Sequence, residues 1–277
     1  MAGTDPVRSA LYVPGDQPRK LAKAAGYGAD SLIVDLEDAV APPAKEAARE
    51  AVASWLAGGG ASGGPQVWIR INPGEAGLAD LAAVAHPDVT GVCVAKAETV
   101  EGLGEVDAAL AGFPGIALSP ILESAAAVLA APALARAPRV VRLQLGEADL
   151  KADLGVDPGP DERELLWARS QVVLASAAAG IAAPLGPVST ALADPEALRA
   201  SSHALRRLGF HGRACVHPAQ LPVVHEVFTP TGAELARARD LVARFAAAGE
   251  GVVVDDRGRM VDEAVVRQAR RVLAAAR

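Results

Sequence analysis

Three carboxylates fall within four residues at Asp35, Glu37 and Asp38, immediately after the apolar run Leu32, Ile33 and Val34. Charges of one sign this close, at the end of a buried segment, are costly unless water, a cation or hydrogen-bond donors compensate them. The group therefore asks for a positive partner; the alternative is that Asp38 caps the following helix while the other two face solvent. The arrangement recurs along the chain. Arg70 and Asn72 close the run VWIRIN, Lys96 and Glu98 follow GVCVA, and Glu123 follows ALSPIL; Glu147 and Asp149 follow RLQLG, and His217 follows ACV. Singly, each has an ordinary structural role: Glu123 and Asp149 as helix-start acids, Arg70 in an ion pair, His217 in a loop. As a set at the ends of β-rich runs, they indicate one site.

Such residues must be positioned by parallel strands. Eight short β-rich runs occur at residues 10–13, 32–36, 67–71, 91–95, 116–122, 140–145, 182–185 and 214–216. Between most of them lie Ala-rich helical stretches with ordinary punctuation, for example Pro43 near the start and Gly58 at the end of PPAKEAAREAVASWLA. Eight alternating units predict an α/β fold of the (β/α)8 TIM-barrel type, with a doubly wound open sheet as runner-up. The barrel is assigned to residues 1–228. Residues 229–277 then form a C-terminal lid extension: a helix opened by Thr231 and Glu234, a hairpin over VVVDDRGRMV, and a last helix capped by Asp262. A closed barrel leaves no place for this tail, so it must pack outside, over the mouth or on a neighbouring subunit. The glycine-rich stretch 58–64 follows a helix and precedes a strand, the wrong order for a phosphate cradle, and reads as a connector.

In such a barrel the site lies at the C-terminal ends of the strands. Adjacent strands five and six then bring Glu123 and Asp149 to one point. Hard oxygen donors with no nearby His pair or Cys cluster favour Mg²⁺ over Zn²⁺. The five histidines lack zinc-type spacing, and neither G-x-S-x-G nor a P-loop is present. A net charge of −6 argues against nucleic acid or an anionic membrane as partner. Cys93 and Cys215 each sit in an apolar run, as core residues of a reducing compartment do. With no signal-type N-terminus and no membrane-length apolar run, a cytoplasmic protein is expected. An apolar content of 51% is ample for a large core, and the 277-residue length allows two small domains or one α/β domain of barrel size without choosing between them.

The segments RSALYVPG, DLEDAV, VWIRIN, ILES, LGEADL, CVHP and GRMVDE occur in order across essentially the whole chain. As a set they resemble the HpcH/HpaI aldolase and citrate lyase beta subunit family, closest to its stand-alone malyl-CoA and citramalyl-CoA lyases. The resemblance implies a Mg²⁺-dependent carbon–carbon lyase that cleaves or forms a 3-hydroxyacyl-CoA thioester, giving acetyl-CoA or propionyl-CoA and a 2-keto acid. It implies Glu123 and Asp149 as Mg²⁺ ligands and Arg70 as the group that polarises the thioester carbonyl and holds its enolate. Asp262 matches an acid delivered by the C-terminal lid of an adjacent subunit, which implies a homo-oligomer, a trimer or a dimer of trimers. Arg8, Tyr12 and Lys23 match positions near the coenzyme A phosphates and adenine, while Glu37 and Asp38 orient metal-bound water and Arg70. Ala95 departs from the family, whose members often carry Pro before the lysine matching Lys96; the change touches a loop and leaves the chemistry intact. Three rival readings remain: an aldolase acting on free 2-keto acids, a subunit of a citrate-lyase-like complex acting on a carrier-protein thioester, and a barrel that only binds CoA thioesters.

Overall fold

The structure is a computed structural model, which describes residues 7–249 and 252–276. Eight strands form: β1 (Ser9–Pro14), β2 (Ser31–Asp35), β3 (Gln66–Ile71), β4 (Gly91–Val94), β5 (Ala117–Leu122), β6 (Arg142–Leu145), β7 (Ala182–Gly186) and β8 (Gly212–Cys215). Each pairs in parallel with the next, and β1 pairs with β8 to close the barrel. Closure excludes the doubly wound sheet. The connecting helices are α1 (Pro18–Ala24), α2 (Lys45–Ala57), α3 (Gly74–Val84), α4 (Val100–Ala109), α5 (Ala125–Leu134), α6 (Glu147–Leu154), α7 (Leu166–Ala179), α8 (Pro195–Leu208) and α9 (Leu221–Phe228).

The apolar runs are continuous because the strands are covered on both faces, by helices outside and by the barrel lumen inside. Every residue of β2, β4 and β5 is buried. Ala10, Ile33, Trp68, Cys93, Ala117, Ile121 and Leu185 form one buried cluster. Gly91 is required for space: a Cβ there would lie 2.3 Å from the Trp68 ring. Higher in the lumen the packing turns polar, where the Gln144 amide donates to Ser119 Oγ at 2.9 Å and to Cys93 Sγ at 3.0 Å.

Helix starts above the strand ends are fixed by short polar side chains. Thr99 accepts from the Gly102 N–H, Ser124 from the Ala127 N–H and Asp194 from the Ala197 N–H, each such cap contributing about 1 kcal/mol. The Ser124 cap sets the direction of the chain immediately after Glu123. Asn72 and Asp80 tie the ends of β2 and β3 together. The buried Asn72 amide donates to the Leu36 carbonyl at 2.8 Å and to Asp80 Oδ2 at 2.7 Å, and Arg49 neutralises Asp80.

A second compact unit begins at Glu226. It contains α10 (Gly232–Ala247), the two-stranded antiparallel hairpin β9 (Val253–Val254) and β10 (Met260–Val261), and α11 (Glu263–Ala274). Thr231 and Glu234 form the expected capping box, and Ala238, Leu241, Phe245, Val261, Val266 and Ala269 make its core. No helix among the described residues is long and apolar enough to cross a membrane.

Candidate active site

The positive partner that the acidic run requires is Arg70. The register of β2 and β3 sets Asp35 directly beside Arg70, and Asp35 accepts from Arg70 Nε at 2.7 Å and Nη2 at 2.5 Å. The same carboxylate accepts the Glu37 N–H at 2.9 Å and the Ala39 N–H at 3.2 Å, so its burial is matched by four donors. Arg70 Nη1 reaches Glu37 Oε2 at 3.0 Å and Asp38 Oδ2 at 3.3 Å, while the Tyr12 ring lies 5.1 Å from the guanidinium carbon. A guanidinium has five N–H donors. Asp35 takes two and the Nη1 pair faces Glu37 and Asp38, leaving one Nη2 N–H for another acceptor. Asp38 belongs to this web and does not cap the next helix.

Lys96 completes the web from the neighbouring strand end. Its ammonium bonds Glu37 and lies 3.8 Å from Asp38, while its backbone N–H donates to Glu123 Oε1 at 2.6 Å. Glu37 is raised above the ordinary carboxylate range by burial, with Lys96 and Arg70 opposing. Asp38 is held below its ordinary value: burial pushes it up, but its bond to Glu37 and the charges of Arg70 and Lys96 outweigh that. Burial pushes Glu123 up to about 7; Lys96 opposes this, and the charges of Asp149 and Glu37 reinforce it.

Glu123 and Asp149 border one cavity of about 380 Å³ together with Tyr12, Asp35, Asp38 and Arg70. Asp149 lies in the first turn of α6 and is exposed, whereas Glu123 is buried. Gly146, the residue before α6, packs against Glu123: a Cβ there would sit 2.6 Å from both Glu123 Cβ and Glu123 Oε2. Glu147, on the same helix turn, has a structural role, paired through both oxygens with Arg169 at 2.6 and 2.8 Å. Among the described residues no three His, Cys, Asp or Glu gather as a complete metal cage. Glu123 and Asp149, which line one cavity, are the carboxylates suited to a hard divalent cation, and Mg²⁺ commonly takes one or two carboxylates and keeps several waters.

Of the residues singled out in the sequence, Glu37, Asp38, Arg70, Glu123, Asp149 and Tyr12 come together. Tyr12, expected near coenzyme A, sits in the lumen with its ring against Arg70, and burial raises its phenol pKa. Arg8, expected there too, lies elsewhere on the barrel. It precedes β1 at the N-terminal end of the barrel, away from the mouth, and its guanidinium pairs with Asp30 at 2.9 Å through Nε and Nη2. Lys23 is exposed on the last turn of α1 and does not border the cavity. His217 works locally: its Nδ1 accepts the Ala219 N–H at 3.2 Å. Asp262, in the second unit, caps α11 by accepting the Ala264 and Val265 N–H groups at 3.0 and 3.1 Å. Gly146 was not singled out from sequence, and Asp35, though named with the acidic run, was given no role of its own there. The parity that places Asp35 and Arg70 on one face of neighbouring strands is the signal for that role.

This mouth geometry coincides with a matched family model. Residues 8–218 match the model of the HpcH/HpaI aldolase/citrate lyase family. The chain belongs to this family. Among its relatives are a citrate lyase subunit beta-like protein of Deinococcus radiodurans, 37% identical over 96% of each chain, and a (3S)-malyl-CoA thioesterase of Cereibacter sphaeroides, 35% identical over 98% of this chain and 95% of that one. A solved family structure, CitE from Mycobacterium tuberculosis in complex with magnesium, acetoacetate and coenzyme A, superposes with a TM-score of 0.80 at 31% identity, covering 98% of both chains.

Proposed function

We propose that the protein is a Mg²⁺-dependent carbon–carbon lyase that cleaves or forms a 3-hydroxyacyl-CoA thioester such as malyl-CoA or citramalyl-CoA. The observation that carries this reading is that Arg70, fixed by Asp35 and with one N–H to spare, borders the same cavity as Glu123 and Asp149. Glu123 and Asp149 would hold the Mg²⁺, which when bound supplies Lewis-acid polarisation and a template for the oxygens of the acid half. In cleavage the hydroxyl gives its proton to solvent, the O–H electron pair forms the carbonyl of the 2-keto acid, the Cα–Cβ bond breaks, and its electron pair passes to the thioester as an enolate. Arg70 offers its remaining N–H to the enolate oxygen. Because Asp35 already holds the guanidinium, little reorganisation is needed as charge develops. Glu37 and Asp38 keep that guanidinium in place from its other edge.

Asp262 is the proposed acid that protonates the enolate carbon, and the base in the condensing direction, brought by the C-terminal segment of a neighbouring subunit. Its Oδ1 is occupied by two backbone N–H groups, which fixes the side chain and leaves Oδ2 for proton transfer. Asp262→Asn is expected to lower turnover at least 100-fold by the usual size of general acid–base effects, about 10²- to 10⁴-fold; full turnover would remove it from this role. The homo-oligomer, a trimer or a dimer of trimers, follows from the same assignment and is checked by light scattering on the eluting species.

A second reading, hydrolysis of the same thioester, is favoured by the relative named (3S)-malyl-CoA thioesterase. The deciding experiment incubates the protein and Mg²⁺ with malyl-, citramalyl- and 3-hydroxy-3-methylglutaryl-CoA, with EDTA and Glu123→Ala controls, and separates the products. Acetyl-CoA with an equimolar keto acid supports the lyase, whereas free CoA with the intact hydroxy acid supports hydrolysis. Silence across the panel from folded, Mg²⁺-bound protein favours free 2-keto acids or a carrier-protein thioester as substrate.

A further inference from the structure

We propose that Lys96 is a positioning residue whose left-handed backbone aims its own amide at Glu123, selecting which carboxylate oxygen is left for the cation. The inference rests on the reading of Glu123 as a metal ligand. Lys96 has φ +50°, one of three non-glycine residues with positive φ among those described. Left-handed backbone is unfavourable for any residue with a Cβ. Glycine would relieve that strain, so both the conformation and the side chain need a reason here, and each has one.

The conformation serves Glu123. β4 ends at Val94, and the next contact with the β5 backbone is the Ala97 N–H to the Ile121 carbonyl at 3.4 Å. Between them the Lys96 N–H leaves the sheet ladder and donates to Glu123 Oε1 at 2.6 Å. The other oxygen, Oε2, faces Gly146, at the start of the helix that carries Asp149. Oε1 is thus occupied by the backbone, and Oε2 lies beside the start of the helix that carries Asp149. The side chain serves the opposite wall of the site, where its ammonium bonds Glu37, itself 3.0 Å from Arg70. One strained residue connects the carboxylate suited to the metal with the web that holds the arginine.

These two roles separate by substitution in the full-length protein. Lys96→Met and Lys96→Gly both discard the ammonium while tolerating the backbone, Gly best. Lys96→Val discards the ammonium and, being β-branched, opposes positive φ. The first readout is Mg²⁺ affinity by calorimetry without substrate. Met and Gly are expected to bind Mg²⁺ within about threefold of wild type, and Val about 10- to 100-fold more weakly, the usual penalty for losing an outer partner of a ligand. The second readout is kinetic: Met and Gly lose kcat through the loosened Glu37 and Arg70, with their Mg²⁺ dependence unchanged. Lys96→Val binding Mg²⁺ as tightly as Lys96→Met would overturn the proposal. Should Val not fold, Gly decides alone, since a tenfold loss of Mg²⁺ affinity there would assign the effect to the ammonium. Wild type that binds no Mg²⁺, or binds it equally after Glu123→Ala, would instead refute the underlying metal reading.

Discussion

Replacing Gly146 with alanine tests the metal corner with a single methyl group. The backbone there has φ −94° and ψ 84°, open to alanine, so glycine is needed for space and not for conformation. The added Cβ would lie 2.6 Å from Glu123 Cβ, 2.6 Å from Glu123 Oε2 and 3.2 Å from Ile121 Cγ2. Carbon contacts settle at about 3.5–4.0 Å, so Glu123 must retreat by roughly 1 Å. It cannot do so freely, because Oε1 is held by the Lys96 N–H and the next residue, Ser124, caps α5. Overpacking of this kind costs about 1–3 kcal/mol in stability. For function the displacement matters more: a misplacement of about 1 Å is worth around 100-fold in rate. Gly146→Ala should therefore melt a few degrees lower, bind Mg²⁺ more weakly and lose most of its turnover. Gly104→Ala is the control, since nothing lies within 4 Å of its added Cβ and it sits inside α4; it should be stabilised by about 0.5–1 kcal/mol. Calorimetric titration with Mg²⁺ and thermal melts of the two variants decide the matter. A Gly146→Ala protein with wild-type Mg²⁺ affinity and turnover would refute the assignment of Glu123 to the cation.

Asp35→Asn leaves Arg70 facing an amide in place of one carboxylate, and removing a partner from a buried pair costs about 3–5 kcal/mol; urea denaturation matching wild type would mean that Asp35 does not hold Arg70. In EDTA, Glu123 makes stability depend on pH. Its folded pKa is raised from 4.5 to about 7, so its contribution is complete below about 4.5 and is lost as pH rises through 7. That amounts to roughly 3 kcal/mol at 1.4 kcal/mol for each tenfold change in proton affinity. Wild type should lose that much relative to Glu123→Gln between pH 4.5 and 7.5, and parallel pH profiles would contradict the raised pKa. Cys93 and Cys215 are buried, and burial pushes both thiols up to about 12. Native protein at pH 8 should leave a thiol reagent unreacted while urea-unfolded protein titrates both; rapid native labelling would show the lumen to be open.

The strands were legible because parallel barrel strands are covered on both faces, so their apolar runs are uninterrupted and stop where polar groups begin. Leu32 to Val34 ending in Asp35 is the clearest case, and all eight runs became strands. The two ends of one strand were harder to separate. Arg8 and Tyr12 share the motif RSALYVPG, yet a strand rises about 3.3 Å per residue, so four residues put Arg8 some 13 Å below Tyr12. Applied to the sequence, that arithmetic places Arg8 at the opposite end of β1 from the mouth. Other features have no local signature. The backbone of Lys96 is left-handed without glycine or asparagine, because Glu123, 27 residues away, takes its amide. Gly146 looks like any helix-start glycine until Glu123 is seen against it.

The charge arithmetic of the mouth explains why these residues belong together. Asp35, Glu37 and Asp38 face Arg70 and Lys96, three anions against two cations within hydrogen-bonding range. That web is nearly neutral, and its excess charge sits on Asp38, the most exposed of the three. Among the described residues neither Glu123 nor Asp149 forms an ion pair, and Lys96, whose charge opposes Glu123's burial, is already bonded to Glu37. On the proposed reading, an anionic acid approaching this cavity would meet net negative charge at the same corner where its oxygens bind. A dication between Glu123 and Asp149 would remove that repulsion, while Arg70 stays committed to its carboxylates except for the one N–H left over. On the proposed lyase reading the barrel divides the work between two adjacent regions, one for the acid half and one for the oxyanion of the thioester, with Lys96 bonded to Glu123 on one side and Glu37 on the other.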